Sequence, residues 1–418
     1  MRRFAICLMV VALALTWPGM APAAAEEKVL KIGTLFPLTG PCALAGQRCK
    51  AAVETAAEVI NGSHPEMNIP LATGTGVLGY RIELVHADSQ GKPEVGKAEA
   101  ERLIDQEGVW AIIGCYNSAV TKPASFVAER KKRLFLAGSS SSAALTERNL
   151  KLFFRLAPTD RTESHAFAEF LERLNAEKGA AIKTVGLIYE NTEFGKHAAD
   201  EAKIALTAKG FTVTADVPFS PGATNLNSEV TTLKAAAPDA LLGACLGGDY
   251  TLLVRTMKQQ GWVPRVALNY CSGYQDPEIA RQLGPDADFF AGCTGYSPDF
   301  AALMPEVGAV EKLFSAKTKV PYDADSIQET VALLVLAQAI EQAGGPDTEK
   351  VATVLRSTEF VSPLSLGGKV AFDAQGQNIR ATSLITQLQG GVYKRVHPAA
   401  MATGELVFPI PPWDQRQP

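Results

Sequence analysis

Two polar loops in the first third of the chain carry residue types that can hydrogen-bond a small molecule. An apolar run at residues 109–114 is followed by a polar turn, and a second apolar run at residues 134–137 is followed by Gly138 and four consecutive serines. A predicted helix joins the two runs, which indicates a βαβ unit. In an open parallel sheet, ligands lie outside the carboxyl ends of the strands, and free N–H groups at helix starts favour an anionic ligand group. We therefore expect half of a small-molecule site at Tyr116, Asn117, Ser118, Ser139, Ser140 and Ser141.

The same strand-to-helix pattern returns in the second half of the chain. Phe194 lies at the start of a predicted helix just after the strand expected at residues 184–189. Asp249 and Tyr250 begin the helix that follows the strand expected at residues 240–245. Each of these signals has an alternative: the serines can form an exposed turn and helix cap, Phe194 can pack locally, and Asp249 can cap its helix. The functional interpretations are that Phe194 forms a wall of the site and that Asp249 contacts a cationic group of the ligand.

Other chemistries have weaker support. Residues 74–79 spell GxGxxG, but a loop precedes them and a strand follows, whereas the dinucleotide fingerprint needs a strand before and a helix after. There is no GxSxG motif, and no third metal ligand accompanies the pair His165 and Glu169. The chain has 40 Lys and Arg against 44 Asp and Glu, which argues against nucleic acid as the main partner. We expect no catalytic residues, no cofactor and no metal.

Strand and helix signals alternate along most of the chain, which predicts an α/β fold with doubly wound parallel sheets. Five strands are expected between residues 31 and 156, and the layout begins again after Pro158. The section after residue 297 departs from this layout, with helices at 298–316, 324–343 and 348–357 and strands at 369–373 and 382–388. The tail after His397 is rich in proline, and we expect its end to be poorly ordered. A length of 418 residues suits about two domains.

Residues 1–25 have the features of a secretory signal peptide. Arg2 and Arg3 precede an apolar stretch at residues 4–17, and three alanines at residues 23–25 fit a cleavage site. Because no other run is long and apolar enough to span a membrane, we expect a soluble exported protein. Export places the remaining cysteines in an oxidising compartment, where disulfides are the expected use. These are Cys42, Cys49, Cys115, Cys245, Cys271 and Cys293.

Several segments, taken in order, resemble the substrate-binding proteins of branched-chain amino acid ABC transporters, the class that includes the leucine/isoleucine/valine-binding protein. They are KIGTLFPLTG, IIGCYNSAVTKPAS, FLAGSSSSAALTERN, FFRLAPTD, TVGLIYENTEFGKH and LGGDYTLLVRTMKQQGW. The resemblance covers nearly all of the chain after the signal peptide. It implies a type I periplasmic binding fold, in which two Rossmann-like lobes are joined by three hinge crossings. The N-terminal lobe would comprise residues 26–156 and 297–365, the C-terminal lobe residues 157–296 and 366–396, and residues 397–418 would form a tail.

The resemblance also implies roles for individual residues. Ser118 and the serines at 139–141 match positions that hold the carboxylate and ammonium of an amino acid, and Phe194 with Asp249 or Tyr250 matches contacts from the second lobe. Ala45 stands where relatives often have a tyrosine. Relatives also have an acidic residue after a later strand, where this chain has Ser-Gly-Tyr-Gln at 272–275. Tyr274 and Gln275 therefore join the candidate ligand contacts, and a larger, aromatic, amide or urea-type ligand stays compatible.

The function implied is a periplasmic receptor that delivers an amino acid or a similar small polar or carboxylate solute to an ABC permease in the inner membrane. A ligand-sensing module of the same fold is the alternative. The resemblance implies a monomer and no enzymatic activity. With three cysteines in each lobe, we expect one disulfide per lobe, and Cys271–Cys293 on adjacent strands is the expected pair in the second.

Overall fold

The computed structural model describes residues 28–416, without the side chains of Cys271 and Ser272. It contains two sheets whose strands have the same parallel arrangement. The first sheet has the strand order β2-β1-β3-β4-β5 and is parallel throughout. Its strands are β1 (Lys28–Phe36), β2 (Tyr80–Asp88), β3 (Ala111–Gly114), β4 (Leu134–Ala137) and β5 (Phe153–Arg155). The helices between them are α1 (Ala43–Asn61), α2 (Pro93–Asp105) and α3 (Ser118–Arg130).

The second sheet repeats this order as β7-β6-β8-β9-β10, again with parallel neighbours. Its parallel strands are β6 (Thr184–Glu190), β7 (Thr212–Phe219), β8 (Ala240–Ala244), β9 (Val266–Asn269) and β10 (Ala291–Thr294). Its helices are α4 (Asp160–Lys178), α5 (Glu193–Ala208), α6 (Asn227–Ala236), α7 (Gly247–Gln259), α8 (Cys271–Tyr274) and α9 (Pro277–Leu283). The predicted α/β fold and its repeated layout are thus confirmed.

The remaining elements extend both halves. Four helices and a two-stranded ribbon pack with the first sheet: α10 (Phe300–Leu303), α11 (Pro305–Thr318), α12 (Ala324–Ala343), α13 (Thr348–Ser357), β11 (Glu359–Val361) and β12 (Lys369–Ala371). Two antiparallel strands, β13 (Leu384–Gln389) and β14 (Val392–His397), extend the second sheet beyond β10. We call the first sheet with α1–α3, α10–α13 and the ribbon the first lobe, and the second sheet with α4–α9 the second lobe.

Apolar patterning explains why these segments take these positions. Every residue of β3 and β4 is buried, as expected of central parallel strands that are covered by helices on both faces. Helix α12 is apolar around most of its circumference and is buried along most of its length between α1 and the first sheet. Asp323 caps its start and accepts a hydrogen bond from the backbone N–H of Ser326 at 2.7 Å. This fixes the first turn of α12 beside the cleft between the lobes.

The chain passes between the lobes three times. The first passage follows β5 and the second follows β10. The third passage was expected near Leu366. Beyond that residue, however, β12 still pairs with β11 of the first lobe. Asn378 also donates hydrogen bonds to the carbonyls of Arg155 and Leu156 at the end of β5. The passage therefore falls between Asn378 and Leu384, because strand pairing holds the chain on the first lobe until then.

Several other expectations differ from the structure. The helix expected at 298–316 is divided into α10 and α11 at Pro305, which lacks the N–H needed to continue a helix but fits the first position of the next. Helices α6 and α9 and strand β11 were not predicted, and Tyr274 belongs to a short helix rather than a loop. Residues 398–416 pack on the second lobe, where Ile410 is buried and the indole of Trp413 donates to the carbonyl of Trp262.

The predicted disulfides are absent from the described residues. Cys42, Cys49, Cys115, Cys245 and Cys293 are free thiols, so the expected Cys271–Cys293 bond is not formed. The thiol of Cys293 instead lies 3.8 Å from the carbonyl of Glu163. The predicted signal peptide lies outside the described residues. Between residues 28 and 416, no helix has the length and apolar character needed to cross a bilayer.

Candidate ligand-binding site

A cavity of about 450 Å³ lies between the lobes at the carboxyl ends of both sheets. Loops after β1, β2 and β3 line one side, and loops after β6, β7 and β8 line the other. Strands β1 and β3, and likewise β6 and β8, flank the points where the strand order reverses, which is where open α/β sheets bind ligands. We call this space the main cavity. Its lining includes Pro41, Cys42, Lys92, Asn117 and Ser118 from the first lobe, and Glu190, Phe194, Pro221, Leu246 and Asp249 from the second.

A second, smaller space of about 30 Å³ lies nearer the hinge, and Phe194 borders both. We call it the inner cavity. It is lined by the serine turn after β4, the first turns of α4 and α12, and the first two passages between the lobes. The lining residues are Ser139, Ser141, Ala157, Pro158, Glu163, Phe194, Gly295, Ala324, Asp325 and Gln328.

Six of the predicted site residues line these two cavities. Asn117, Ser118 and Asp249 face the main cavity, Ser139 and Ser141 face the inner cavity, and Phe194 faces both. Phe194 is held edge-on to Tyr270, with ring centroids 6.4 Å apart. The sequence pattern therefore selected loops that border the space between the lobes, and their role in binding a ligand stays a prediction.

The other predicted site residues lie elsewhere in the structure. The hydroxyl of Ser140 donates to the carbonyl of Cys115 at 2.5 Å and lies 2.6 Å from the hydroxyl of Thr121, so it ties the two loops together. Tyr116 is buried in the hydrophobic core. Tyr250 and Tyr274 pack edge-on in the core of the second lobe, 6.3 Å apart.

Gln275 lies apart from both cavities. It lines a separate space of about 10 Å³ together with Tyr296 and Asp323. This space is too small for a solute.

The main cavity is bordered by an amide and two carboxyl groups, those of Asn117, Glu190 and Asp249. The side-chain oxygen of Asn117 is buried without a hydrogen-bond partner among the described residues, while its nitrogen lies 3.7 Å from the sulfur of Cys42. Burial raises the pKa of Glu190 to about 7, and the nearby negative charge of Asp249 adds to this. Burial likewise raises the pKa of Asp249, whose carboxylate accepts the N–H of Gly222. The unpaired oxygen of Asn117 can therefore accept a hydrogen bond from a ligand.

The inner cavity contains two acidic residues that the sequence analysis missed. Glu163 lies in the first turn of α4 and Asp325 lies in the first turn of α12, far apart in sequence. A signal for Glu163 does exist, because it occupies the face of α4 that continues through Phe167, Phe170 and Leu171. An acidic residue on the apolar face of a helix marks either a buried pair or a binding site.

A buried ion pair joins the lobes beside the cleft. The guanidinium of Arg48, on α1, lies 2.7 Å from Asp323 of the first lobe and 2.7 Å from Asp276 of the second. All three side chains are less than a tenth exposed. An exposed pair, Lys122 with Glu193 at 2.9 Å, joins the lobes at the rim of the cleft.

Comparisons with known proteins agree with this geometry. The family described as periplasmic binding protein matches residues 29–392. The Leu/Ile/Val-binding protein homolog 7 of Brucella suis is 28% identical over 98% of this chain and 100% of its own length. Among solved structures, a leucine binding protein, LivK, of Thermotoga maritima has a TM-score of 0.76 at 23% identity, covering 88% of this chain and 97% of its own. A solute binding protein of an ABC transporter from R. palustris, in complex with benzoate, has a TM-score of 0.75 at 18% identity, covering 91% and 99%.

The match extends over most of the chain, and the two lobes, the cleft and the loops around it agree with it. The predicted family and the predicted absence of enzymatic activity are confirmed by these relatives, which are binding proteins rather than enzymes. This chain belongs to the periplasmic binding protein family.

Proposed function

We propose that this protein is an exported receptor that binds a small amino acid-like solute between its lobes and delivers it to an ABC permease. The observation that carries the proposal is the main cavity, which takes its lining from six loops, three from each lobe. A solute that touches both sides favours the arrangement in which the lobes are together. It therefore shifts the balance between open and closed forms toward the closed one.

The lining of the main cavity supports one class of solute. Pro41, Phe194, Pro221 and Leu246 offer apolar contact, and Asn117 offers an unpaired acceptor. An aliphatic or aromatic amino acid combines an apolar side chain with hydrogen-bond donors. The names of the relatives, which mention leucine, isoleucine and valine, are consistent with this class. The benzoate of the R. palustris protein is the competing class, an aromatic carboxylate.

The proposal includes export and hinge motion. Residues 1–25 act as the signal peptide, and the mature receptor works as a monomer in the periplasm. The lobes move about the three passages after β5, after β10 and before β13. The permease then recognises the closed form.

A thermal-shift screen of the ligand-stripped mature protein tests this function. The panel holds branched-chain and aromatic amino acids, short amides, urea and aromatic carboxylates. A ligand at about 100 times its Kd stabilises the fold by about 2.7 kcal/mol, which moves the melting temperature measurably. The shift should be lost or strongly reduced in Phe194→Ala and retained in Phe126→Ala, whose ring is about half exposed on the first lobe. Equal shifts in the two variants would contradict a site between the lobes.

A further inference from the structure

A groove of about 740 Å³ lies beside the third passage between the lobes, and we call it the hinge groove. Its lining includes Leu366 and Lys369 of the first lobe, and Leu384 and Met401 of the second. The passage itself contributes Ile379, Arg380, Thr382 and Ser383. Among the described residues, none lines both this groove and the main or the inner cavity. The hinge groove is therefore a separate space, bordered by both lobes and by the segment that joins them.

The apolar part of the lining is aliphatic. Ile379 is 60% exposed although its side chain is large and hydrophobic, and Leu366, Leu384 and Met401 add further apolar surface. No aromatic side chain lines the groove within the described part of the chain. Pockets of about 300–1,000 Å³ that combine an apolar lining with a few polar groups are typical of small-molecule sites. The hinge groove has this size, and its lining suits an aliphatic chain.

The charged side chains that line the hinge groove, Lys369 and Arg380, are both cations. The Nζ of Lys369 lies 2.5 Å from Oε1 of Glu359, and the Nε of Arg380 donates to Oε2 of the same carboxylate at 2.9 Å. Each cation is more than half exposed, so these ion pairs contribute little to stability and leave the cations available to a ligand. Two cations share one carboxylate, which leaves one positive charge in excess. An anion with a single charge complements this excess.

The hydroxyl group of Ser383 is a polar group without a partner on the same groove. Its oxygen is buried and forms no hydrogen bond among residues 28–416. Buried hydroxyl groups in folded proteins are almost always hydrogen-bonded, because an unpaired one loses its hydration without compensation. Ser383 lines the hinge groove, so its hydroxyl can donate to an anionic ligand group there. This observation is independent of the excess positive charge and indicates the same kind of ligand.

We propose that the hinge groove is a second ligand site, which binds an aliphatic monocarboxylate of medium chain length. The carboxylate group pairs with Arg380 and Lys369, and the chain lies against Ile379 and the other apolar side chains of the groove. Arg380 suits this role because its planar fork of N–H donors matches the two oxygens of a carboxylate. A ligand bound there contacts both lobes and the passage that joins them. The inference goes beyond the proposed function and does not depend on which solute the main cavity binds.

Two probes with the same chain length, octanoate and octan-1-ol, test the site by calorimetry on the mature protein. We expect octanoate to bind, and octan-1-ol to bind about 10-fold or more weakly because it lacks the charged group. Phe194→Ala should bind octanoate with a Kd within about twofold of the unchanged protein, since Phe194 lines the other two cavities and not this groove. Asn117→Ala, which changes the main cavity alone, serves if that variant does not fold.

Variants of the groove then locate the contacts. Arg380→Gln should weaken octanoate binding by about 10-fold and leave octan-1-ol binding nearly unchanged, since it removes a hydrogen bond between charged groups. Ser383→Ala should weaken octanoate binding by about 5-fold through the loss of its hydroxyl donor. Ile379→Ser should weaken both probes alike, because it removes apolar contact. Arg281→Gln is the matched control, since Arg281 is likewise exposed and paired with a glutamate, Glu278, but lies on the second lobe away from the groove.

Several results would overturn the second site. They are no binding of octanoate, equal affinity for the two probes, and octanoate binding that both Arg380→Gln and Ser383→Ala leave unchanged. Loss of octanoate binding in both Phe194→Ala and Asn117→Ala would assign octanoate to the main cavity instead. A dimer in light scattering that Ile379→Ser dissociates would also contradict the proposal, because a second copy of the chain would then cover the groove. The receptor function is tested apart from all of these, by the solute panel and its dependence on Phe194.

Discussion

The buried ion pair of Arg48 with Asp276 should stabilise the closed form, and Asp276→Asn is the change that tests it. Asp276 belongs to the second lobe and Arg48 to the first, so this contact is made only while the lobes are together. The other oxygen of Asp276 caps α9 by accepting the N–H of Glu278 at 2.9 Å. Asparagine retains an oxygen for this cap, so the variant removes the ionic contact selectively.

The size of the loss in stability of the closed form depends on whether Arg48 keeps a partner in the variant. Breaking a buried ion pair costs about 3–5 kcal/mol when it leaves a charge uncompensated. Here Asp323 still accepts from Arg48 at 2.7 Å, so the charge keeps a partner. The loss should therefore approach that of one hydrogen bond between charged groups, about 1.5–3 kcal/mol. This corresponds to a closed population, and an apparent ligand affinity, that is lower by roughly 10- to 150-fold.

Small-angle X-ray scattering and calorimetry measure the two consequences. We expect Asp276→Asn to have a larger radius of gyration than the unchanged protein, without and with subsaturating ligand, and a weaker Kd for the panel compound that gives the largest thermal shift. Glu193→Gln is the matched control, since it removes the exposed ion pair to Lys122, which should contribute at most about 1 kcal/mol. An unchanged scattering profile and a Kd within twofold in Asp276→Asn would refute the role of the buried pair.

Three further predictions concern stability and thiol chemistry. Burial raises the pKa of Glu329 to about 8, so the unfolded chain ionises this group from about pH 4.5 while the folded protein keeps its proton. The free energy of unfolding of Glu329→Gln should therefore rise above that of the unchanged protein as pH rises from 4.5 to 8, by up to a few kcal/mol. Urea unfolding curves should show that this advantage is lost below pH 4. Gly195→Ala should cost about 1–3 kcal/mol, because the added methyl would lie 2.1 Å from the carbonyl oxygen of Glu190, whereas Gly248→Ala meets nothing within 4 Å and should unfold near the original urea midpoint. Mass spectrometry after alkylation in denaturant without reductant should label at least five cysteines, and fewer labels would contradict the free thiols at Cys42, Cys49, Cys115, Cys245 and Cys293.

The sequence predicted the fold well, because local patterns and global arrangement agree in the central strands. Strand β4 was expected at its observed bounds, since a short apolar run between a basic helix end and a glycine has few other interpretations. The order of strands in the second half also followed from its alternation with helices. Helix α6 was missed because only two of its ten residues are buried, which leaves a weak apolar period.

The sequence predicted which loops border the cavities, but not which of their side chains face them. Four consecutive serines carry no signal that separates Ser139, which donates to Glu329 at 2.8 Å, from Ser140, which holds the neighbouring loop. Tyr250 lies next to a true cavity residue, Asp249, but a helix turns by 100° per residue and carries it into the core. Glu163 and Asp325 are separated by most of the second lobe, and only the folded chain brings them to one cavity.

Hydrogen–deuterium exchange, with and without the panel compound that gives the largest thermal shift, tests the central claim most directly. A solute held between the lobes should slow exchange in loops of both, at residues 90–93 and 117–119 of the first lobe and 190–194 and 246–249 of the second. The rear of each sheet should change little. Protection confined to one lobe, or found away from these loops, would contradict a receptor that closes on its ligand.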